Sequence, residues 1–375
     1  MDESHFLPSG PPNIGNSCPQ SCLLNSLSLI FNMDLLAAME PLQISRRVDI
    51  QMLLVLWRRE EQPKKWWINA LTSWAKVLYP LDPYMDPQKV QGSLYEAFSE
   101  MLAELQTRSS DEKQFIKNFT IQSSSRVICD KCHAESQLSS ESDPFISVEF
   151  NSQFPENDEN GVNIVELLEK QDERASEWKC PSRCESFKTQ IANHYCGLPK
   201  VLLILLKRLV PMNFVSREDS ASGVGLVMGR HKHKVTFGQQ LILTDTSPEG
   251  KLFRVTYQLL MSHYHGIGFR EDEPFSEGPN SYSVTGSGHY FTFIHKNDGS
   301  AVLRSDDTDV KQTSSSFRRV QQSFGRKVVA LQYEEIGRQE ILYPSPPSQP
   351  QPPSTTLNHT LQALFNQPQP TSPNP

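Results

Sequence analysis

The sequence contains no long hydrophobic run and no basic stripe. Its most conspicuous apolar run, Val201–Leu206, ends at Lys207 and Arg208 and is far too short to cross a bilayer. Acidic residues outnumber basic ones, 43 to 36, which gives a formal net charge of −7. Nucleic-acid binding requires a positively charged surface. We therefore expect no membrane-spanning segment and no nucleic-acid partner.

The start of the chain also lacks a long apolar stretch. Residues Met1 to His5 are acidic and contain no apolar stretch, so we expect no secretory signal. The seven cysteines are odd in number and clustered, which is typical of thiols used for metal binding or chemistry in a reducing compartment. We expect a cytoplasmic protein, with the nucleus as a second location.

The hydrophobic pattern divides the chain into a helical first part and a β-rich remainder. Of the 375 residues, 37% are hydrophobic, which is enough for a sizeable core. Helices followed by strands indicate an α+β protein with segregated layers. Apolar spacing predicts helices over residues 22–39, 48–79 and 94–105. Strands are predicted over residues 119–127, 145–150, 201–206, 253–261, 290–295 and 328–333.

The composition changes at about residue 341. Ten of the last 35 residues are proline, with glutamine and serine between them, which predicts a disordered tail over residues 341–375. Within it, residues 357–365 carry apolar side chains at helical spacing. This segment is either a helix that docks into a partner's groove or an incidental apolar patch.

Two short cysteine pairs indicate a metal site. Cys129 and Cys132 are separated by two residues, Cys180 and Cys184 by three, and the pairs lie 47 residues apart. Two such pairs can close a tetrahedral thiolate site for zinc, and four thiolates leave no open coordination position. We predict one structural zinc ion that joins two distant segments. The alternative is four unrelated cysteines, and Cys196 lies outside the pattern.

Residues able to form a thiol hydrolase lie about 270 residues apart. Cys18 and Cys22 follow a glycine-containing turn at the start of a predicted helix, where free amides and the helix dipole lower the pKa of a thiol. His289 follows Gly288 much later and can take the thiol proton. Asp306 follows in turn. Such partners meet in space and not in sequence.

Taken together, these residues resemble the ubiquitin-specific protease family of papain-like cysteine peptidases. The resemblance covers roughly residues 10–335 and implies a helical thumb, a β-rich palm and zinc-ribbon fingers. It implies an N-terminal arm at 1–12 and a catalytic domain at 13–340, divided into thumb (13–118), fingers (119–200) and palm (201–340). The matching segments are residues 13–18, 25–27, 205–209, 257–263 and 286–290, together with the two cysteine pairs.

The resemblance also implies a reaction. A thiolate attacks the carbonyl at the C-terminal glycine of ubiquitin or a relative, and water then releases the acyl-enzyme. His289 is the implied base and acid, Asp306 orients it, and Asn13 stabilises the oxyanion. No organic cofactor is expected. Residues 25–33, 51–56 and 126–136 are similar to the branch that removes the interferon-stimulated, two-lobe ubiquitin-like modifier.

The sequence departs from the family pattern around the nucleophile. Cys18 keeps the spacing to Asn13, whereas Cys22 keeps the register of the following helix, as if four residues had been inserted in the turn. A longer loop is accommodated more easily than an additional buried helical turn, which favours Cys22 over Cys18. If Cys22 is the nucleophile, Asn13 is displaced from the oxyanion.

Three functions therefore remain open. The first is an isopeptidase, and the altered cysteine segment motivates the second, a catalytically impaired scaffold of the same fold that binds a modifier or a signalling partner. Val90, Val302 and the long segment 265–285 are further departures from the family. The third function, a zinc-ribbon adaptor, leaves the Gly-His-Tyr and Asn-Ile-Gly-Asn-Ser-Cys segments unexplained.

Overall fold

The computed structural model describes part of the chain. The described residues are 11, 18–28, 47–58, 60–78, 99, 113, 116–150, 160–176, 179–182, 184, 188–213, 226–266, 289–295, 302–306, 309–313 and 316–341. Within them, no helix is both long enough and apolar enough to pass through a membrane. The chain divides into two units, residues 1–340 and 341–375, and of the second only residue 341 is described.

The described helices and strands follow the predicted order, with helices first. The helices are α1 (Cys18–Ser28), α2 (Val48–Trp57), α3 (Lys64–Leu78), α4 (Ile164–Asp172) and α5 (Phe317–Phe324). The strands are β1 (Ile121–Cys129), β2 (Glu135–Asp143), β3 (Ile146–Glu149), β4 (Val162–Asn163), β5 (Glu173–Ser176), β6 (Thr189–Gly197), β7 (Val201–Lys207), β8 (Leu209–Asn213), β9 (Leu226–Arg230), β10 (Val235–Thr236), β11 (Gln240–Thr246), β12 (Leu252–Gly266), β13 (His289–His295), β14 (Val302–Asp306), β15 (Asp309–Thr313) and β16 (Val328–Glu340).

One twelve-stranded sheet organises the first unit. Its main path runs β15-β14-β13-β12-β11-β6-β1-β2, with β5 beside β6. The 15-residue strand β12 pairs with both β11 and β13, while β16 pairs with β12 and with β7. β12 therefore connects the strands that carry the candidate histidine with the strands that carry the cysteine pairs.

The helical predictions are confirmed in part. The predicted helix 48–79 is two helices, because Pro63 lacks the N–H that a continuous helix needs and its carbonyl instead accepts the amide of Trp66. In α3, buried Trp67, Ala70, Leu71 and Trp74 recur at helical spacing and form one apolar face. The predicted helix 94–105 lies outside the described residues, apart from residue 99, as does the end of the predicted helix 22–39.

Hydrophobic packing occurs on both faces of the sheet, as β7 shows. Leu203 and Leu205 pack in the core that contains α1, α2 and α3, whereas Leu202 and Ile204 pack in the core that contains α4 and α5. Successive side chains of a strand point to opposite faces, so a run of six apolar residues corresponds to burial on both faces. The predicted strand 201–206 and the α+β fold class are confirmed.

The buried Arg208 connects three segments of the chain, which lie after β9, after α5 and at the start of β16. It is 2% exposed, and its guanidinium donates hydrogen bonds to the carbonyls of Val328, His231, His233 and Gly325. A planar guanidinium can serve several fixed acceptors at once, which a lysine ammonium cannot do with the same geometry.

Replacing Arg208 by methionine is expected to lower the free energy of unfolding by about 3 kcal/mol or more, because buried carbonyls lose their donor. Urea denaturation measures the change. Arg254→Met is the control, since Arg254 is exposed on β12. A loss in Arg208→Met no larger than that in the control would contradict the structural role.

Two buried histidines lie on the paired strands β12 and β13, His263 on the first and His295 on the second. The ring of His263 shares a 2.9 Å hydrogen bond with Thr292, and His295 shares one of 2.7 Å with Ser262. Burial lowers the pKa of His263 to about 4 and that of His295 to about 3, so both rings are neutral in the folded protein at neutral pH.

These histidines make the fold sensitive to acid. Below about pH 6.5 the unfolded chain binds protons that the folded chain excludes until the pH approaches 4, so stability falls across this window. We expect each histidine to remove about 2 kcal/mol of unfolding free energy between pH 7 and pH 5. Urea denaturation at both pH values tests this, and His295→Gln should lose less stability than the wild type. An equal loss in both would contradict the prediction.

Candidate active site and metal centre

The two cysteine pairs lie at the same end of a four-stranded part of the sheet. This part, the finger sheet, has the order β2-β1-β6-β5. Cys129 ends β1, and its partner on β6 is Thr189. The turn from β1 to β2 carries the first pair, and the segment from β5 to β6 carries the second. Antiparallel pairing of β1 with β6 therefore brings together cysteines that are distant in sequence.

The four sulfur atoms have the spacing of a metal site. All lie within 4.8 Å of one another, with Sγ–Sγ distances of 3.5 Å for Cys129 and Cys184 and 3.4 Å for Cys132 and Cys180. Thiolates bound to one tetrahedral zinc ion are about 3.8 Å apart. The donor set therefore fits zinc, and the prediction that these cysteines can hold one structural ion is confirmed.

Ser182 supports the thiolate form of this cluster. Its hydroxyl lies 3.1 Å from the sulfur of Cys132 and 3.2 Å from that of Cys180. Hydrogen bonding with Ser182 lowers the pKa of Cys132 and lowers the pKa of Cys180 to about 5. Metal ligands must be deprotonated, so the serine favours metal binding. Sequence reasoning missed Ser182, although its place inside the second pair was a usable signal.

Cys196 is separate from the cluster. It lies near the end of β6, away from the turns, and burial raises the pKa of its thiol. A raised thiol pKa disfavours the thiolate that metal binding requires.

The elements proposed to carry catalysis are neighbours. Helix α1, which contains both candidate thiols, packs against β13 and contacts β14. Strand β13 begins at His289, and β14 ends at Asp306. Ser305 pairs with Thr292, so Asp306 lies beside the first residues of β13. The fold thus brings the thiol helix, the histidine strand and the aspartate strand together.

His289 occupies the end of its strand. It is partly exposed, and its partner on β12 is Gly266. The next residue, Tyr290, is buried with its ring 4.4 Å from that of His265. As the first residue of β13, His289 lies at the end of this strand of the sheet.

The additional residues of the cysteine segment do not form a loop. That expectation is wrong, because residues 18–21 form the first turn of α1, and Gln20 and Ser21 are buried. Cys18 therefore stands at the start of the helix. Cys22 lies one turn further on, is 2% exposed and belongs to the core shared by the helices and the sheet.

Several predicted features lie outside the described residues. They are the oxyanion residue Asn13, Gly286 to Gly288, Val90, most of the segment 265–285 and the apolar segment 357–365 of the tail. For Cys18, Asp306 and Val302 the structure describes the backbone.

Comparison with solved structures shows the same fold. A chain of the SAGA Ubp8/Sgf11/Sus1/Sgf73 DUB module bound to ubiquitin aldehyde matches with a TM-score of 0.61 and 13% identity, over 90% of this chain and 71% of that one. The module bound to monoubiquitin gives 0.60 and 14%, over 90% and 71%. A yeast SAGA DUB module with a variant Sgf73 gives 0.59 and 13%, over 90% and 70%.

The family follows from the sequence match. The family model for ubiquitin carboxyl-terminal hydrolase matches residues 9–333, and the chain belongs to this family. A comparison with curated protein sequences finds no match. The resemblance identified from the sequence is thus confirmed for the hydrolase family and its ubiquitin-specific protease type of fold, with a β-rich sheet and a four-cysteine site.

Proposed function

We propose that this protein is a thiol-dependent isopeptidase that cleaves ubiquitin, or its interferon-stimulated two-lobe relative, from protein lysines. The main support is the contact of α1, with its two thiols, against β13, which begins at His289. The family assignment supports the same chemistry. Solved structures of this fold contain ubiquitin aldehyde and monoubiquitin, which is consistent with a ubiquitin-like substrate.

The proposed reaction uses the three adjacent elements. His289 takes the proton of the thiol, and the thiolate attacks the carbonyl carbon of the modifier's C-terminal glycine. The imidazolium then protonates the leaving lysine amine, and the acyl-enzyme is hydrolysed by water that His289 activates. Asp306 holds the imidazole in position. The amide of Asn13 stabilises the oxyanion when Cys18 attacks, whereas attack by Cys22 requires other donors.

Of the two thiols, we propose Cys22 as the nucleophile. Cys22 keeps the register of the Asn25–Leu27 segment, and the helix that carries it packs against β13. Cys18 is the alternative, favoured by its place at the positive end of the helix dipole. The burial of Cys22 motivates a second function, a scaffold that binds a modifier without cleaving it.

Labelling with ubiquitin that carries a C-terminal electrophile tests the reaction and its nucleophile. We expect the wild type and Cys18→Ala to form a covalent adduct, and Cys22→Ala to lose it, because only the attacking sulfur forms the bond. Intact-mass spectrometry measures the adduct. The opposite pattern would make Cys18 the nucleophile.

Modifier choice requires a second probe. Labelling with the two-lobe modifier beside ubiquitin tests the proposed branch, which predicts faster labelling by the two-lobe probe. Stable binding of either modifier without any adduct would favour the scaffold.

We also propose a cytoplasmic and nuclear location and a docking role for residues 357–365. Fluorescence microscopy would test the location, and a pull-down with a tail-deletion variant would test the docking.

A further inference from the structure

Lys327 is buried beside the strand end that carries His289. Only 7% of it is exposed, although a lysine of a turn normally reaches water. Its carbonyl accepts a 3.0 Å hydrogen bond from the amide of His265, and its own amide donates one of 2.7 Å to Phe324. These two bonds fix the start of the side chain against the last residues of β12.

The side chain of Lys327 fills the space above Gly266. A Cβ atom built on Gly266 would lie 3.0 Å from Cδ of Lys327 and 3.7 Å from its Nζ. Gly266 pairs directly with His289. Side chains of directly paired residues project from the same face, with Cβ atoms about 5 Å apart. The ammonium group therefore lies on the face of the sheet from which the side chain of His289 projects.

Aromatic packing independently indicates the same position. Nζ of Lys327 lies 5.8 Å from the ring centroid of Phe324, and this ring lies 5.6 Å from that of Phe291. Phe291 and His289 are two residues apart on β13, so their side chains share a face. The register of β12 with β13 and the aromatic contacts thus both place the ammonium group on the face from which His289 projects.

We propose that Lys327 is a positioning residue whose ammonium group favours the neutral imidazole of His289 over the imidazolium, an inference that rests on the proposed function. A positive charge on the same face, beside the strand pair that carries His289, opposes a second positive charge on the ring. The neutral ring is the form that accepts the thiol proton. Nothing in the sequence pattern distinguishes Lys327, because the effect depends on the absence of a side chain at Gly266.

Other titratable and charged groups of the described residues lie on several elements around β13. Helix α1 contains the two candidate thiols and no charged residue, so the cation of Lys327 has little competition from that side. The remaining titratable or charged residues on the neighbouring elements are Arg254, Tyr257, His263, Tyr264 and His265 on β12, Tyr290 and His295 on β13, Arg304 and Asp306 on β14, Asp309 and Lys311 on β15, Arg318 and Arg319 on α5, and Arg326 in the turn.

The direct test is the pKa of His289, measured by NMR of its ring Cε1–H. Lys327→Met keeps the length of the side chain and removes the charge, and it should raise this pKa by about half a unit or more. Lys327→Arg, which keeps the charge, should stay close to the wild type. Arg326→Met is the matched control, because the Arg326 guanidinium contacts the carbonyl of Lys232 instead.

No rise in Lys327→Met, or an equal rise in Arg326→Met, would overturn the proposal. If Lys327→Met does not fold, Lys327→Gln provides the same comparison. The second readout is the pH dependence of kcat/KM with ubiquitin carrying a C-terminal fluorogenic amide. Because thiol and imidazole titrate as a pair, loss of the cation should move both limbs to higher pH. A wild type without hydrolysis would contradict the isopeptidase, while the NMR titration would still decide the role of Lys327.

Discussion

Replacing Cys129 and Cys180 together by serine is expected to abolish zinc binding and to unfold the turn end of the finger sheet. The variant removes one ligand from each cysteine pair, so the two hairpins lose their common ion. Zinc contributes on the order of 10 kcal/mol or more to small thiolate domains, which is as large as the stability of many whole domains. Metal analysis and hydrogen exchange measure the loss.

The finger sheet should respond separately from the rest of the protein. We expect faster exchange of the backbone amides in β1, β2, β5 and β6. The amides of β7, β12 and β16 should keep their protection, because residues of these strands pack in the two apolar cores. Cys196→Ser is the matched control, because it removes a thiol from the same sheet outside the cluster. Unfolding of the whole chain by the double variant would contradict this prediction.

Replacing His289 by alanine is expected to lower kcat for modifier release by about 100- to 10,000-fold, with KM little changed. The substitution removes the proposed base and acid and leaves the modifier's binding surface in place. Hydrolysis of ubiquitin with a C-terminal fluorogenic amide provides the measurement.

His194→Ala is the control for this result. His194 lies on β6 of the finger sheet, outside the three catalytic elements, so its replacement should leave turnover near that of the wild type. Equal activity of His289→Ala and the control would refute the role of His289, and a parallel urea denaturation excludes loss of folding as the cause.

Strands were predictable where their residues are buried on both faces. The run Val201–Leu206 of β7 is apolar at every position because one core lies on each side of it. Strand β13 and the first part of β16 are also largely buried on both faces, although they include polar residues. The full length of β12 was not predicted. The predicted strand 253–261 ends five residues early, because Ser262, His263 and His265 are polar and their burial comes from pairing with β13 and β16. Their place in the sheet depends on partners that are distant in sequence.

The candidate site was predictable to a similar degree. Paired cysteines are a local signal, because a metal knuckle needs both ligands on one turn, and the structure brings the two pairs together. The first turn of α1 was predicted as a loop, since the contacts that bury Gln20 and Ser21 come from other parts of the chain.

By itself the sequence determined the chemistry that is available: four thiols with metal spacing, two thiols near a helix start, and a histidine and an aspartate on later strands. Only the folded structure shows which of these groups lie close together. The pairing of β1 with β6 joins the cysteine pairs, and the packing of α1 on β13 brings the thiol helix to the histidine strand. Because Gly266 has no side chain, the side chain of Lys327 can lie against its backbone. Strand register and helix packing arise from many weak contacts across the chain, whereas a ligand pair or a helical face is a property of neighbouring residues.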